Sequence, residues 1–391
     1  MTKVFVTGLG AITPIGVGTE QLWSALCSRR THFSNIDAVY SAMKPGYAAG
    51  LLSEVDRSRV VRDVRDATGR SLADSSTYAA HAALQAVREA GLTPGDEDLR
   101  DALVCVANNE AEADLLDELV EGRDDRWRGA VYSSHAIADN VARAIGSTGP
   151  AFTVHNTCAS ANVALEFALR MMRTGAVRTA VVGGGDAFSK KVWTGFYTLN
   201  TLGPEHCRPF SVRRKHITIA EGAAFLVLRA ADAPLPGSCA ELVAAVSNND
   251  AVHPTNPDPG GVLACHERAL AQAGLTADQV DGIFAHGTGT QANDAVEAGI
   301  FTTRFPDASV TAIKGTIGHL MASAGAVGAV ASCLALRHQK MPPTIIERDE
   351  YQFGFDLVLE AGGRERRLTH VQNNAFGFGG NNGISVFRAV S

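Results

Sequence analysis

No run in this chain of 391 residues approaches the roughly 18 uncharged apolar residues that a membrane-spanning helix needs. A basic excess is missing as well. The 35 Lys and Arg stand against 41 Asp and Glu, a net charge of −6, which argues against a nucleic-acid surface. The seven cysteines are an odd number without short paired spacings, so neither a disulfide framework nor a zinc site is expected. A reducing cytoplasm is the expected setting. Met1 to Gly10 reads as a strand entering a glycine turn and not as a signal peptide. Gly8, Gly10, Gly16 and Gly18 after the strand Val4–Val6 invite a dinucleotide-binding reading, but no acidic residue closes a second strand at the expected distance. We expect a tight structural loop there. The length points to two domains or a duplicated unit, and 46% hydrophobic with 19% charged residues is ordinary globular composition.

Against these absences stands Val154-His155-Asn156-Thr157-Cys158-Ala159-Ser160. An apolar, β-leaning run, Ala151 to Val154, precedes it. Ala164, Leu165, Ala168, Leu169 and Met172 follow at helical spacing. Cys158 therefore falls at a strand-to-helix corner, where free N–H groups and the helix dipole favour a thiolate. The local pattern leaves two readings open, a reactive thiol or a buried inert one. Cys27, Cys105, Cys207, Cys239, Cys265 and Cys333 have no comparable surroundings.

Two histidine motifs lie far downstream, Ala285-His286-Gly287-Thr288-Gly289-Thr290 and Lys314-Gly315-Thr316-Ile317-Gly318-His319. Asn374-Ala375-Phe376-Gly377-Phe378-Gly379-Gly380-Asn381 follows near the end. A cysteine and Gly/Thr turns bearing histidine, spread along most of the chain, point to one site assembled from separate loops. With these four motifs in this order, the sequence resembles the β-ketoacyl synthases, the condensing enzymes of fatty-acid and polyketide synthesis, over nearly its whole length.

The resemblance implies an α/β, thiolase-like duplicated fold in five layers, α-β-α-β-α. Residues 1–235 would form the half with the cysteine, and residues 236–391 the half with both histidines. It assigns Cys158 to hold the acyl chain, and His286 and His319 to stabilise the carbanion formed from a malonyl unit. Lys314 is assigned an electrostatic, organising role. The backbone N–H groups of Cys158 and Phe378 become the oxyanion hole, Phe376 and Phe378 the gating loop, and Thr288 and Thr290 the contacts to a phosphopantetheine arm. No cofactor or metal is implied, because phosphopantetheine arrives on the substrate. The implied partners are an acyl carrier protein and either a second copy or a related chain-length-factor-like subunit.

Two basic clusters carry open readings. Arg57, Arg59, Arg62, Arg65 and Arg70 form the first; Arg213, Arg214 and Lys215 form the second. Each is either a solvated face with internal ion pairs or a dock for an acidic carrier, with Arg62, Arg65 and Arg213 as the docking candidates. The stretch from Cys27 to about Leu52 reads as irregular. His319 is expected to open a small-residue helix through Ala322, Ala326, Ala329 and Leu334, mirroring the Cys158 corner, and Asp356–Leu359 is expected as a strand.

Three stretches depart from the family pattern. Asn108 to Asp114 stands where a glycine-rich turn is usual, and Val212 to Ile217 where a loop ending in Gly-Phe is usual. Gly328 stands nine residues after His319, where a glutamate usually networks with the lysine. A buried lysine without a carboxylate is costly, so Asp294 or Glu297 is expected to serve Lys314 instead. The departures favour type II polyketide synthesis over housekeeping fatty-acid elongation. A chain-length-factor-like subunit would lack the cysteine, and a thiolase would want another cysteine late in the chain, where none lies beyond Cys333.

Overall fold

The computed structural model describes residues 2–36, 46–122 and 132–390. The first half supplies strands β1 (Lys3–Thr13), β2 (Leu103–Ala107), β3 (Ala151–Val154), β4 (Thr179–Asp186) and β5 (Gly222–Ala231). The second supplies β6 (Ala240–Asn249), β7 (Gly282–Phe284), β8 (Ser309–Thr311), β9 (His370–Gly377) and β10 (Asn381–Arg388). The principal helices are α1 (Thr19–Cys27), α2 (Glu54–Thr68), α3 (Asp74–Glu89), α4 (His135–Ile145), α5 (Ser160–Arg173), α6 (Pro259–Ala273), α7 (Gln291–Arg304) and α8 (Ala324–His338).

Both halves lay their strands in one order, β1-β5-β4-β2-β3 and β6-β10-β9-β7-β8. The directions match as well. β1–β5, β5–β4, β6–β10 and β10–β9 are antiparallel, whereas β4–β2, β2–β3, β9–β7 and β7–β8 are parallel. One topology used twice is the mark of a duplicated unit. The halves meet at a short antiparallel seam, Phe5 opposite Glu241 and Val6 opposite Ala240.

Side-chain alternation along the strands sorts the layers. Leu103, Cys105 and Ala107 of β2 join a central core with α5, α8 and residues of both sheets, while Val104 and Val106 face α3 and α4. A third core packs α6 and α7 against β6, β7 and β10. The result is the expected order of five layers: α3 and α4, sheet, α5 and α8, sheet, α6 and α7. α8 is rich in Ala and Gly and is buried nearly all round, as a helix between two sheets must be.

Four expectations change. β1 does not stop at a glycine loop but runs through Gly8 and Gly10 to Thr13. A Cβ at Gly8 would lie 2.0 Å from Ala86 O, and one at Gly10 2.0 Å from Ala82 O, so these glycines admit the backbone of α3 against the strand. His319 does not open a helix directly, because a short helix at Lys314–Ile317 and a 3₁₀ turn at Met321–Ser323 precede α8. Asp356–Leu359 forms no strand. Only Leu357 bridges to Val310, since the three-residue edge strand β8 offers little to pair with. Within Cys27–Leu52, residues 37–45 lie outside the described residues, and Ser34–Asn35 pairs with Ala48–Ala49. Among the described residues no helix is long and apolar enough to cross a membrane.

Candidate active site

The turn between β3 and α5 carries Cys158. Thr157 adopts φ 51°, uncommon for a β-branched residue and therefore held in place by its surroundings. Ser160 Oγ donates to Thr157 O at 2.6 Å and accepts from Asn156 N at 2.7 Å. The Thr157 hydroxyl donates to Phe378 O at 3.0 Å, and Asn381 Nδ2 donates to the same oxygen at 2.9 Å. The turn after β9 is thus latched onto the cysteine turn. The backbone N–H groups of Cys158 and Phe378 both favour a thiolate at Cys158.

The helix terminus that favours a thiolate at Cys158 is opposed by the surroundings of the thiol. Cys158 is buried, and desolvation pushes its thiol up to about 12 against the opposing pull of Lys314 and the two N–H groups. At this corner burial outweighs the helix terminus.

His286 follows β7 in a turn wrapped round two buried carboxylates of α7. Glu297 accepts from His286 N at 2.8 Å, Gly287 N at 2.7 Å and Asn293 Nδ2 at 2.9 Å. Asp294 accepts from Thr288 N at 3.1 Å and Phe210 N at 2.8 Å. Burial pushes Glu297 up to about 7 and raises Asp294. The Lys314 ammonium donates to His286 O and lies 3.3 Å from His286 Nδ1. Neither Asp294 nor Glu297 forms the expected ion pair with it, because their oxygens are taken up by the N–H groups of the histidine turn. Their help to Lys314 is electrostatic and longer in range, with Glu297 the largest favourable contributor. His319 Nδ1 accepts from Met321 N at 3.0 Å. Both imidazoles therefore use Nδ1 as acceptor and keep the proton on Nε2. Burial first, and Lys314 next, hold both well below the usual histidine range, so they are neutral donors. Their ring centroids lie 5.5 Å apart.

Cys158, His286, His319, Thr288, Thr290, Phe376 and Phe378 all line one cleft of about 260 Å³, with Lys314 behind His286. Thr288 and Thr290 share a hydroxyl–hydroxyl bond of 2.9 Å. Sequence reasoning missed the wall opposite, where Phe196 stacks on Phe378 with centroids 5.7 Å apart and Leu199, Thr201 and Ile217 continue the surface. It also missed Thr255, Asn256 and Pro257, although the run His253-Pro254-Thr255-Asn256-Pro257 was a loop signal. Arg62, Arg65 and Arg213 do not line the cleft. Arg62 and Arg65 are exposed on α2, and Arg213 lies 3.5 Å from Glu350.

Residues 1–233 match the family described as "Beta-ketoacyl synthase, N-terminal domain", and residues 239–346 match "Beta-ketoacyl synthase, C-terminal domain". The chain belongs to the β-ketoacyl synthase family. The synthase is similar to Nodulation protein E of Rhizobium meliloti, 29% identical over 411 residues that cover 99% of each chain. It is similar to 3-oxoacyl-[acyl-carrier-protein] synthase 2 of Vibrio cholerae, 28% identical over 414 residues and again 99% of each. Among solved structures it is similar to the ishigamide ketosynthase/chain length factor, with a TM-score of 0.90, 30% identity and 100% of both chains covered. The activity that goes with this membership is that of a β-ketoacyl-[acyl-carrier-protein] synthase, a condensing acyltransferase.

The tautomers are directly measurable. ¹⁵N spectra of histidine-labelled synthase should show His286 and His319 neutral and Nε2-protonated from pH 7 down to 5, since burial opposes the cation. Protonation of either ring between those pH values would contradict this account of the site.

Proposed function

We propose that the synthase joins a Cys158-bound acyl group to malonyl-acyl carrier protein by decarboxylative Claisen condensation, in type II polyketide synthesis. One observation supports this above the others: Cys158, whose thiolate the N–H groups of Cys158 and Phe378 favour, shares a cleft with two imidazoles locked as Nε2–H donors. The polyketide part of the reading rests on the departures at Asn108–Asp114, Val212–Ile217 and Gly328, and similarity to a ketosynthase/chain length factor is in keeping with a chain-length-factor-like partner.

The proposed steps use this geometry as follows. Cys158 attacks the acyl thioester, its proton passes to the departing pantetheine sulfur, and Thr288 and Thr290 hold the arm. The N–H groups of Cys158 and Phe378 take the negative oxygen of the tetrahedral intermediate. Malonyl thioester then enters past Phe376 and Phe378, its carbonyl oxygen facing His286 and His319. Loss of carbon dioxide leaves an enolate whose charge the two Nε2–H groups stabilise. The enolate carbon attacks the Cys158 thioester, and collapse of the second tetrahedral intermediate releases β-ketoacyl-carrier and Cys158, which regains a proton. No resident cofactor takes part.

Two partners belong to this reading. The carrier is acidic, so exposed Arg62, Arg65 and Arg213 are its proposed contacts. Arg57 and Arg59 are already engaged with Asp74 and Asp56. Arg213 sits in the loop that leads to Ile217 of the cleft wall and stays 67% exposed. The second partner is another copy or a chain-length-factor-like subunit, docked at β3, which ends the sheet beside exposed Phe152 and Phe167. Sedimentation velocity should show a dimer that Phe152→Arg weakens, and a fully active monomer would refute the pairing.

Intact-mass analysis should find the acyl group on Cys158 and on no other cysteine. His286→Ala and His319→Ala should each slow decarboxylation by about 100- to 1,000-fold, as loss of one oxyanion donor does, while keeping acylation. Parent-rate decarboxylation by both variants would refute the histidine roles. Charge reversal of Arg62, Arg65 and Arg213 together should raise KM for acyl-carrier at low salt and leave a small pantetheine thioester unaffected. An unchanged KM would return these arginines to plain surface.

A further inference from the structure

Gly328 lies in the middle of α8, where glycine is among the poorest helix formers. Asn373 of β9 explains it. A Cβ at 328 would stand 2.1 Å from Asn373 Oδ1, so the amide oxygen fills the space that a side chain from 328 would enter. The amide is held by its other end. Asn373 Nδ2 donates to Asn162 Oδ1 at 3.0 Å, to Gly325 O at 2.9 Å and to Ser385 Oγ at 3.1 Å. A flipped amide would set an oxygen against Gly325 O, so Oδ1 faces Gly328. Asn162 belongs to α5, which starts just beyond Cys158, and its Nδ2 donates to Gly383 O at 2.8 Å. All three side chains in this network are buried.

Lys314, Gly328, Asn373 and Asn374 line one small pocket of about 10 Å³, room for at most a single water. Lys314 makes no ion pair among the described residues, and both of its hydrogen bonds go to His286. An ammonium has three protons to place. We propose that Asn373 is the positioning residue for Lys314. Its amide oxygen accepts the third ammonium proton across a single water, for which the pocket has room. A neutral amide thereby keeps Lys314 on His286 Nδ1, and the same amide ties that contact to the cysteine helix through Asn162. The inference rests on the roles given to Lys314 and His286 above.

The charged and titratable groups facing Lys314 are Asp294 and Glu297 of α7, Cys158, Cys207, His286 and His319. None is altered in the variants below, so differences among them report on positions 328 and 373. A cation that loses an acceptor gives up its proton at lower pH. One that gains a nearby carboxylate keeps it to higher pH, by about 1–3 units.

The test is the pH profile of malonyl-carrier decarboxylation, with Cys158 acylation and thermal unfolding measured alongside. The proteins are the parent, Asn373→Ala, Gly328→Ala, which pushes the amide aside, and the double variant Asn373→Ala/Gly328→Glu. The alkaline limb should move down in the single variants and above the parent's in the double variant, with acylation at the parent rate throughout. One common limb in all folded, active variants overturns the inference alone, and so does a parallel loss of acylation and decarboxylation. A parent that is acylated yet releases no carbon dioxide overturns the histidine roles, and this inference with them.

Discussion

A hydrogen bond into Nδ1 of each imidazole is the constraint on which the site depends. Met321 N–H supplies it for His319, and the Lys314 ammonium supplies it for His286. Without those bonds a neutral ring could carry its proton on either nitrogen, and three of the four arrangements of the pair would turn at least one lone pair into the cleft. With them, both rings present N–H to one cleft. Burial completes the device. Desolvation keeps the imidazoles uncharged, which in the proposed reaction lets them stabilise a forming negative oxygen without a strong hold on the ground-state carboxylate.

The duplicated fold makes this possible. The two halves place their parallel strand pairs at opposite ends of the combined sheet, yet both central helices lie between the sheets. Cys158 comes from the corner leading into α5, and His319 from the segment leading into α8. His286 comes from the turn after β7, and Phe378 from the turn between β9 and β10. Three loops of the second half thus converge on one corner of the first. The latch of Thr157 and Asn381 on Phe378 O joins the cysteine turn to the Phe378 turn, the proposed nucleophile to its proposed oxyanion donor, across the two halves. In the proposed reaction, acyl transfer and carbanion formation consequently use different donor pairs in one cleft.

The duplication was legible in the sequence from its matched strand-to-helix corners, while the five layers and the residues meeting in the cleft were implied by the family resemblance that four ordered motifs carry. What depended on packing was not. Gly8 and Gly10 looked like a loop because the approach of α3 is a tertiary fact. The thiolate at Cys158 was inferred from a helix terminus whose effect burial reverses. Asp294 or Glu297 was expected to serve Lys314 directly, but four N–H donors, including Asn374 Nδ2 at 3.5 Å, already surround the Glu297 carboxylate. The cleft wall from Phe196 to Ile217 carried no motif, only apolar residues that gain meaning from facing Phe378.

The central claim is that holding the acyl group and making the carbanion are separable tasks, the first done by Cys158 with the N–H groups and the second by the two imidazoles. Release of labelled carbon dioxide from malonyl-acyl carrier protein by a Cys158→Ala variant tests it most directly. The account predicts that carbon dioxide is still released while no β-ketoacyl product forms. Loss of carbon dioxide release in a folded Cys158→Ala protein would contradict it.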